Sequence, residues 1–564
     1  MERSVHVLKF GGTSVGSGER IRHVAGILAS FLKESAEAFP VVVVSAMSGI
    51  TDQLLRIARA AYTGQQEPWQ AELAALKQRH IEAAREAIHG EEARVEILGD
   101  LSTAFERLEQ DISGATRRAD AHVPGKGHKA DSEAYDPASW ALHAAAISAW
   151  GERLSVLLVA AAGRDLGLRV VPIREEVIIT TDVQHETLPS FGTVIGADPL
   201  QEQTRINAQR LVLPWLEEGF VPIAPGFIGR AEQGIVTTLG RNGSDYSATV
   251  IGEALDCVEV TIYTDVDGVL SADPRIVANA RLLPHLSYAE AARLSWFGAK
   301  VLHPRTLIPV AHRNIPVRVR NTFRPHTRGT VIGPVSSGRS GHNGLNGHSE
   351  HNGRSGAAAI TVRRNLALIT VENTDLFGAA ESAGQVFALA ARAGAAPVAI
   401  CSSSGQHLAF VVEEQAVDSV VALLQHDMGS WRVRALRGLA ACACIGSGFT
   451  ADPMSSARAV TALARERIPV ITQGASETGI ILIVEERDSE LALRSLHRDL
   501  IAPVIPLVRH DTEKQEPVAR RGGGGRGREA GTLASPASSR GRPVGPTPSA
   551  IPVERLERQK RAQE

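Results

Sequence analysis

Residues 9–20 read KFGGTSVGSGER: a lysine, an adjacent pair of glycines and three small hydroxyl residues where the first strand-like run ends. Adjacent glycines let backbone N–H groups approach a ligand closely. Small hydroxyl residues cap the helix that follows, and a helix N-terminus attracts anions. The stretch is neither G-x-x-x-x-G-K-[ST] nor G-x-G-x-x-G. Lys9 precedes the glycines, so its ammonium emerges at the strand end, as a point charge suited to stabilise a phosphoryl group in transfer. Alone, the turn reads equally well as a tight turn beside a snorkelling lysine.

Other turns add to it. VVVVSAMSGITDQLL (41–55) ends a strand with Ser45, Ser48, Gly49 and Thr51, a small polar rim before a helix. TTLGRNGSDYSA (237–248) supplies Arg241, Gly243, Ser244 and Asp245 at a third strand-to-helix turn, where an arginine can grip a carboxylate with two parallel bonds. YTDVDGVLSADPR (263–275) gives Thr264, Asp265, Asp267, Asp273 and Arg275; three aspartates can hold a metal, and Asp-Gly hairpins are also ordinary turns. FGAKVLHP (297–304) presents Lys300 at a helix end. In open α/β sheets ligands gather at the carboxyl ends of strands, and three such ends here carry residues suited to phosphate or carboxylate. No His or Cys spacing marks a metal site, and no catalytic dyad or triad stands out among the 19 histidines.

The elements that must position these residues follow from the pattern. Near-continuous Val/Ile runs at 41–49, 168–173, 221–229 and 258–268 alternate with helical stretches such as 19–34 and 245–255, which predicts an α/β fold with a mostly parallel sheet sandwiched by helices. Residues 52–150 read as mainly helical, with a polar loop at 122–137. A Gly/Ser/Asn/His tract marks a flexible linker at 336–359. Beyond it APVAICSSSGQHLAFVVEE (396–414) matches IPVITQGASETGIILIVEE (468–486) at an offset of 72 residues, each copy preceded by a strand and an Ala-rich helical stretch. Two α+β units are therefore expected over 360–507. Residues 508–564 are too poor in apolar side chains to build a core and read as a disordered tail. The first 335 residues form the remaining domain.

Bulk composition excludes several classes. Lys+Arg and Asp+Glu nearly balance at 60 and 62, for a net charge of -2, so neither nucleic acid nor membrane is expected as partner. No apolar run is seen to approach the ~18 residues that span a bilayer. The start, MERSVHVLKF, has no signal-peptide core. Cys257, Cys401, Cys442 and Cys444 have no disulfide or zinc spacing, and a cytoplasmic location with reduced thiols is expected.

Taken in order, KFGGTSV, GERLS (151–155), GRNGSDYSA, TDVDGV, DPR and FGAKVLHPRT resemble an aspartate kinase of the amino-acid kinase family, from residue 5 to about 333. The C-terminal repeat resembles the paired ACT domains of the same enzymes, and GRNGSD and TDVDGV look like the kinase half of those fused to homoserine dehydrogenase. The resemblance implies phosphorylation of the L-aspartate β-carboxylate by ATP with Mg2+, the first step toward lysine, threonine and methionine. It implies that Lys9, Gly11 and Gly12 hold the transferred phosphoryl group with Ser45 on the same rim, and that Asp245 orients Lys9. Thr51 then contacts aspartate, Glu152 receives its ammonium, and Arg241 and Ser244 grip its carboxylate. Thr264, Asp265, Arg275 and Lys300 match nucleotide contacts. A carboxylate is already a nucleophile at neutral pH, so the work is positioning and charge neutralisation.

Departures from the family pattern are Leu270, where tyrosine usually stands near the adenine, and the 122–137 insertion. At the ACT pair an effector, threonine or lysine, is expected at Gln473, Ser476 and Glu477 of the second copy only, since the first copy has Cys401, Ser404 and Gly405 there. A homo-oligomer through the ACT domains is also implied. The alternatives are a related kinase acting on glutamate or N-acetylglutamate, and a catalytically dead amino-acid sensor.

Overall fold

Strands alternate with helices from the N-terminus. β1 (Ser4–Phe10), β2 (Ala38–Val44), β3 (Val170–Pro172), β5 (Val221–Pro225), β8 (Glu259–Thr264), β9 (His285–Leu286), β10 (Val317–Asn321) and β11 (Thr330–Ile332) form an eight-stranded sheet in the order β3-β5-β2-β1-β8-β10-β11-β9. Every pairing in it is parallel except β10 with β11. Successive side chains on the central strands divide between two cores. Leu8, Phe10, Val42 and Val44 pack with helices Gly18–Glu34, Ile50–Tyr62 and Trp150–Asp165; Val7, Val41 and Val43 pack with helices Gln201–Glu217, Gly243–Ala254 and Pro304–Arg313. A sheet buried on both faces explains why its strands read as unbroken Val/Ile runs. β4 (Ile179–Thr180), β6 (Ile228–Ala231) and β7 (Val236–Thr238) form a separate three-stranded sheet.

The computed structural model describes residues 4–35, 37–121, 137–181, 194–231, 234–240, 242–299, 302–334, 357–372, 379–404, 407–429, 431–446, 449 and 453–501. All of these lie in one compact unit, Met1–Val504. Most of the polar loop expected at 122–137, most of the linker and the tail lie outside the described residues. Ala359, expected in the linker, already opens the next strand.

The C-terminal region is a six-stranded antiparallel sheet. Its order is β13-β14-β12-β15-β17-β16, built from β12 (Ala359–Glu372), β13 (Ala399–Ser404), β14 (His407–Glu413), β15 (Arg432–Ile445), β16 (Thr472–Ser476) and β17 (Gly479–Glu485). The order is symmetric about the β12–β15 pair, and β14 and β17 start 72 residues apart, as the sequence repeat requires. Helices Val417–Asp427 and Ser489–Leu500, which the sequence reading did not place, complete each unit. Cys442 and Cys444 are buried in β15.

Ser139–Asp165 is 27 residues of helix containing an 18-residue window of mean hydropathy 1.3, long and apolar enough by length and composition alone to cross a membrane, although no unbroken apolar run approaches that length. Ala-rich segments score this way without any single long Val/Leu run, and 89% of the apolar window is buried inside the protein.

Candidate active site

Lys9 lies one residue from the end of β1, between Val43 of β2 and Ile262 of β8 in the ladder. Only 6% of it is exposed, and its Nζ meets Asp245 Oδ1 at 2.5 Å. Asp245 sits in the first turn of helix Gly243–Ala254, where the helix dipole favours an anion. The pairing across 236 residues of sequence was legible only through the motif resemblance.

The glycines after Lys9 are required by close approach. A Cβ on Gly12 would stand 2.9 Å from the Ala46 carbonyl oxygen, and one on Gly11 would stand 3.2 Å from Lys9 Nζ. Gly11 N–H donates to Tyr263 O at 3.4 Å and Ser48 N–H donates to Gly12 O at 3.2 Å, so the turn is stitched to the ends of both neighbouring strands. Ser45 N–H donates to Phe10 O at 3.1 Å, placing Ser45 beside the same turn; Thr51, half-buried, is the second residue of helix Ile50–Tyr62.

Glu152 enters from helix Trp150–Asp165. It is 2% exposed; its Oε1 accepts the Ala46 N–H at 3.0 Å, and its Oε2 has no hydrogen-bond partner. Burial pushes its pKa up to about 8, against smaller opposing contributions from the Ala46 N–H, Arg153 and Lys9. A buried carboxyl oxygen without a partner leaves a place for a cationic or N–H donor.

The turn before Asp245 differs from the sequence reading in its origin. It follows β7, which belongs to the small sheet, so only two of the three expected strand ends belong to the main one. Ser244 is buried, and Arg241 lies outside the described residues. Ser247 Oγ accepts the Phe227 N–H at 2.8 Å and donates to Gly243 O at 2.9 Å. Arg305, which the sequence reading passed over inside FGAKVLHPRT, braces the same turn. Its guanidinium donates to Leu239 O at 3.5 Å and Ala197 O at 3.0 Å, pairs with Asp198, and lies 4.7 Å over the Tyr246 ring.

The third group is open. Thr264 donates to Asp265 at 3.2 Å, and Asp265 is exposed. Asp267 is taken by Asn321 Nδ2 at 2.8 Å and Arg324 at 2.7 Å. Arg275 is turned onto Asp273 at 2.6 Å with its side chain 76% exposed. Lys300 lies outside the described residues. Leu270 is half-buried and bridges to Leu282. Ser14 Oγ and Thr322 Oγ1, 2.6 Å apart, fasten the glycine turn to the end of β10, a link no sequence signal announced. Among the described residues no three His, Cys, Asp or Glu side chains are grouped so as to hold a metal ion.

The residues expected to hold an effector do not come together. Gln473 and Ser476 lie on opposite faces of β16 by strand alternation, and Gln473 and Glu477 are exposed. Ser476 is engaged by Arg293 from helix Tyr288–Trp296, which also donates to Thr478 at 2.8 Å. In the first copy Cys401 is half-buried on β13 and hydrogen-bonds Thr472 of the second, so the edge strands of the two copies meet; Gly405 lies outside the described residues.

Comparison with known proteins bears on the whole chain. Residues 4–321 match the amino acid kinase family and residues 443–500 match the ACT domain. Bifunctional aspartokinase/homoserine dehydrogenase 2 of Arabidopsis thaliana is 32% identical over 507 residues, 88% of this chain and 50% of that protein. The chain thus spans about half the length of the bifunctional relatives it matches. Aspartokinase 1 of Arabidopsis thaliana is 30% identical over 509 residues, 87% of this chain and 79% of that one. The structure of E. coli aspartokinase III in complex with aspartate and ADP superposes with a TM-score of 0.65 at 27% identity, covering 88% of this chain and 99% of that one. Its complex with lysine and aspartate gives a TM-score of 0.63 with the same coverage. With a matching family over most of the parallel-sheet region and aspartokinases similar along nearly all the described chain, the protein belongs to the amino acid kinase family, among its aspartokinases.

Proposed function

We propose that the chain phosphorylates the β-carboxylate of L-aspartate with ATP, giving 4-phospho-L-aspartate and ADP, as the first step toward lysine, threonine and methionine. The observation that carries this reading is the buried Lys9–Asp245 ion pair at the carboxyl end of β1, with Glu152, whose Oε2 has no hydrogen-bond partner, beside the next strand end. An aspartate bound with its ammonium on Glu152 and its α-carboxylate on Ser244 and Arg241 directs its β-carboxylate toward the glycine turn, with Thr51 at its flank. A β-carboxylate oxygen attacks the γ-phosphorus as the bond to the ADP oxygen breaks. Lys9 and the N–H groups around Gly11, Gly12 and Ser45 stabilise charge on the transferred group, and Asp245 holds the lysine in place. Thr264, Asp265, Arg275 and Lys300 hold the nucleotide, and Mg2+ carried by its phosphates supplies further charge neutralisation.

Residues 1–335 act as the catalytic domain and 360–507 as a paired ACT regulatory region. Support for an amino-acid effector is the lysine in the aspartokinase III complex; threonine or lysine is the effector proposed here. Its site includes the exposed Gln473 and Glu477 of the second-copy hairpin, whereas Ser476 is held by Arg293. The ACT region also joins chains into a homo-oligomer. Free cysteines at 257, 401, 442 and 444 fit a reducing cytoplasm.

The test is trapping of the acyl phosphate with hydroxylamine, using the full chain, ATP and Mg2+ with aspartate, glutamate, N-acetylglutamate or no acceptor, then with lysine, threonine or methionine added. Aspartyl hydroxamate formed with aspartate alone supports the reading. Hydroxamate from glutamate or N-acetylglutamate instead, or none with any acceptor, contradicts it.

A further inference from the structure

The segment that follows Thr264 and Asp265 is anchored outside the parallel sheet. Ser271 is fully buried: its N–H donates to Arg281 O at 2.8 Å, its Oγ accepts the Arg281 N–H at 2.9 Å, and its carbonyl accepts the Ile360 N–H of β12 at 2.8 Å. The same hydroxyl lies 2.9 Å from His497 Nε2 on helix Ser489–Leu500, 226 residues along the chain. Ala272 and Val277 are buried in the apolar cluster of the second repeat, against residues such as Phe449, Leu463 and Leu496. On the surface Arg494 Nε of that helix donates to Ile276 O at 3.1 Å. An arm of the catalytic region, with Thr264 and Asp265 at its root and Arg275 near its tip, is thus built on the second repeat.

The residues proposed to meet the transferred phosphoryl group and the acceptor ammonium show no such attachment. Among the described residues, the hydrogen bonds and ion pairs of Lys9, Ser45, Glu152 and Asp245 all stay within the catalytic region. The polar pair itself is well defined. Ser271 Oγ accepts the Arg281 N–H and lies 2.9 Å from His497 Nε2, the donor in that second contact being set by the imidazole tautomer. Burial, and then the charge of Arg281, lowers the His497 pKa, so the ring is neutral and able to accept. Removing Ser271 leaves the ring nitrogen unpaired, and removing His497 leaves the hydroxyl only the Arg281 N–H; either change loosens the hold of the last helix on the arm.

We propose that Ser271 and His497 are positioning residues for the nucleotide subsite, through which the last helix of the second repeat sets the arm bearing Thr264, Asp265 and Arg275. The C-terminal repeat thereby controls affinity for the nucleotide and leaves affinity for the amino-acid acceptor alone. The inference rests on the functional reading above, and its test separates the two.

The measurements are ADP affinity by calorimetry and KM for ATP and aspartate, on the full chain carrying Ser271→Ala, His497→Leu, His497→Gln or Arg494→Ala. Ser271→Ala and His497→Leu raise the ADP Kd and the ATP KM about fivefold or more while the aspartate KM stays within about twofold. His497→Gln, whose amide can still meet the hydroxyl, recovers most of the loss. Arg494→Ala, an exposed change, shifts the same quantities in the same direction by less. A purely structural role would lower the melting temperature and leave both KM values in place; that result, or an equal rise in both, overturns the proposal. ADP titration needs no acceptor, so loss of ADP affinity in the variants of a protein inactive on aspartate would sink the functional reading and leave this one standing.

Discussion

Where Lys9, Glu152 and Asp245 meet, the charges are withdrawn from water, with side-chain exposures of 8% for Lys9 and 19% for Asp245. A few strand ends away Arg275 has 76% of its side chain in solvent. The first group is paired or aimed before any ligand arrives; in the second Asp265 is exposed and Arg275 folds back onto its neighbour Asp273. Dipoles and charges fixed in a dry site need no reorganisation during reaction, so the acceptor side is where transition-state stabilisation belongs. An open, solvated rim suits a nucleotide that brings its own charge and must leave again. On the proposed function the two sides also differ in what they stand on: the acceptor side on the parallel sheet, the nucleotide arm on the second ACT repeat.

The comparison makes graded predictions. Lys9→Met removes the buried charge nearest the transferred group and should lower kcat by about a hundred- to a thousandfold, on the order of 2.7–4 kcal/mol, with the fold intact by circular dichroism. Glu152→Gln should raise the aspartate KM by about ten- to a hundredfold with the ATP KM little changed, since an amide oxygen can accept from the ammonium but carries no charge to neutralise it. Glu152 also sets a pH dependence. With its pKa near 8 the carboxyl is protonated at neutral pH, and a bound ammonium favours the ionised form, so aspartate binding releases a proton. Affinity therefore rises with pH, and the aspartate KM should fall by up to about tenfold per unit between about pH 6 and 8. In Glu152→Gln that slope should vanish, and calorimetry in buffers of different ionisation enthalpy should show no proton release. The sign for folding is opposite: a carboxyl whose pKa rises from 4.5 to about 8 on folding favours the native state at low pH, and that contribution is lost as pH climbs through this window.

Smaller effects sharpen the contrast. Gly11→Ala places a methyl 3.2 Å from Lys9 Nζ and should cut kcat by about tenfold without changing either KM much, because it crowds the ammonium itself. Arg275→Ala should raise the ATP KM by only about threefold and leave the melting temperature unmoved, as expected where an exposed pair between near neighbours is broken. A large loss of kcat there would mean that the open side carries chemistry as well.

Much of the catalytic side could be read from sequence because its residues sit at strand ends in short, spaced motifs. Lys9 and Asp245 stand out at strand-to-helix turns, Glu152 is placed only by the resemblance of GERLS to the family motif, and the Val/Ile runs indicate the doubly covered sheet. What could not be read depends on distance in sequence or on strand parity. Ser271 and His497 are 226 residues apart, and each looks like an ordinary polar residue in its own segment. Arg305 reads as a surface arginine until the carbonyls of Leu239 and Ala197 converge on it. Gln473 and Ser476 look like one polar cluster in a string of letters, yet strand alternation sends them to opposite faces and Arg293 claims Ser476. The strand before GRNGSD could be counted as a strand end, but nothing in so short a run says that it joins the small sheet.

The most direct test of the account is phosphorus NMR of the full chain turning over ATP with aspartate, wild type beside Lys9→Met. The account predicts an acyl-phosphate resonance that appears only with aspartate, grows with ADP, and is absent from the variant although the variant still binds ADP. Inorganic phosphate released without regard to aspartate, or an acyl phosphate formed at wild-type rate by Lys9→Met, would contradict it.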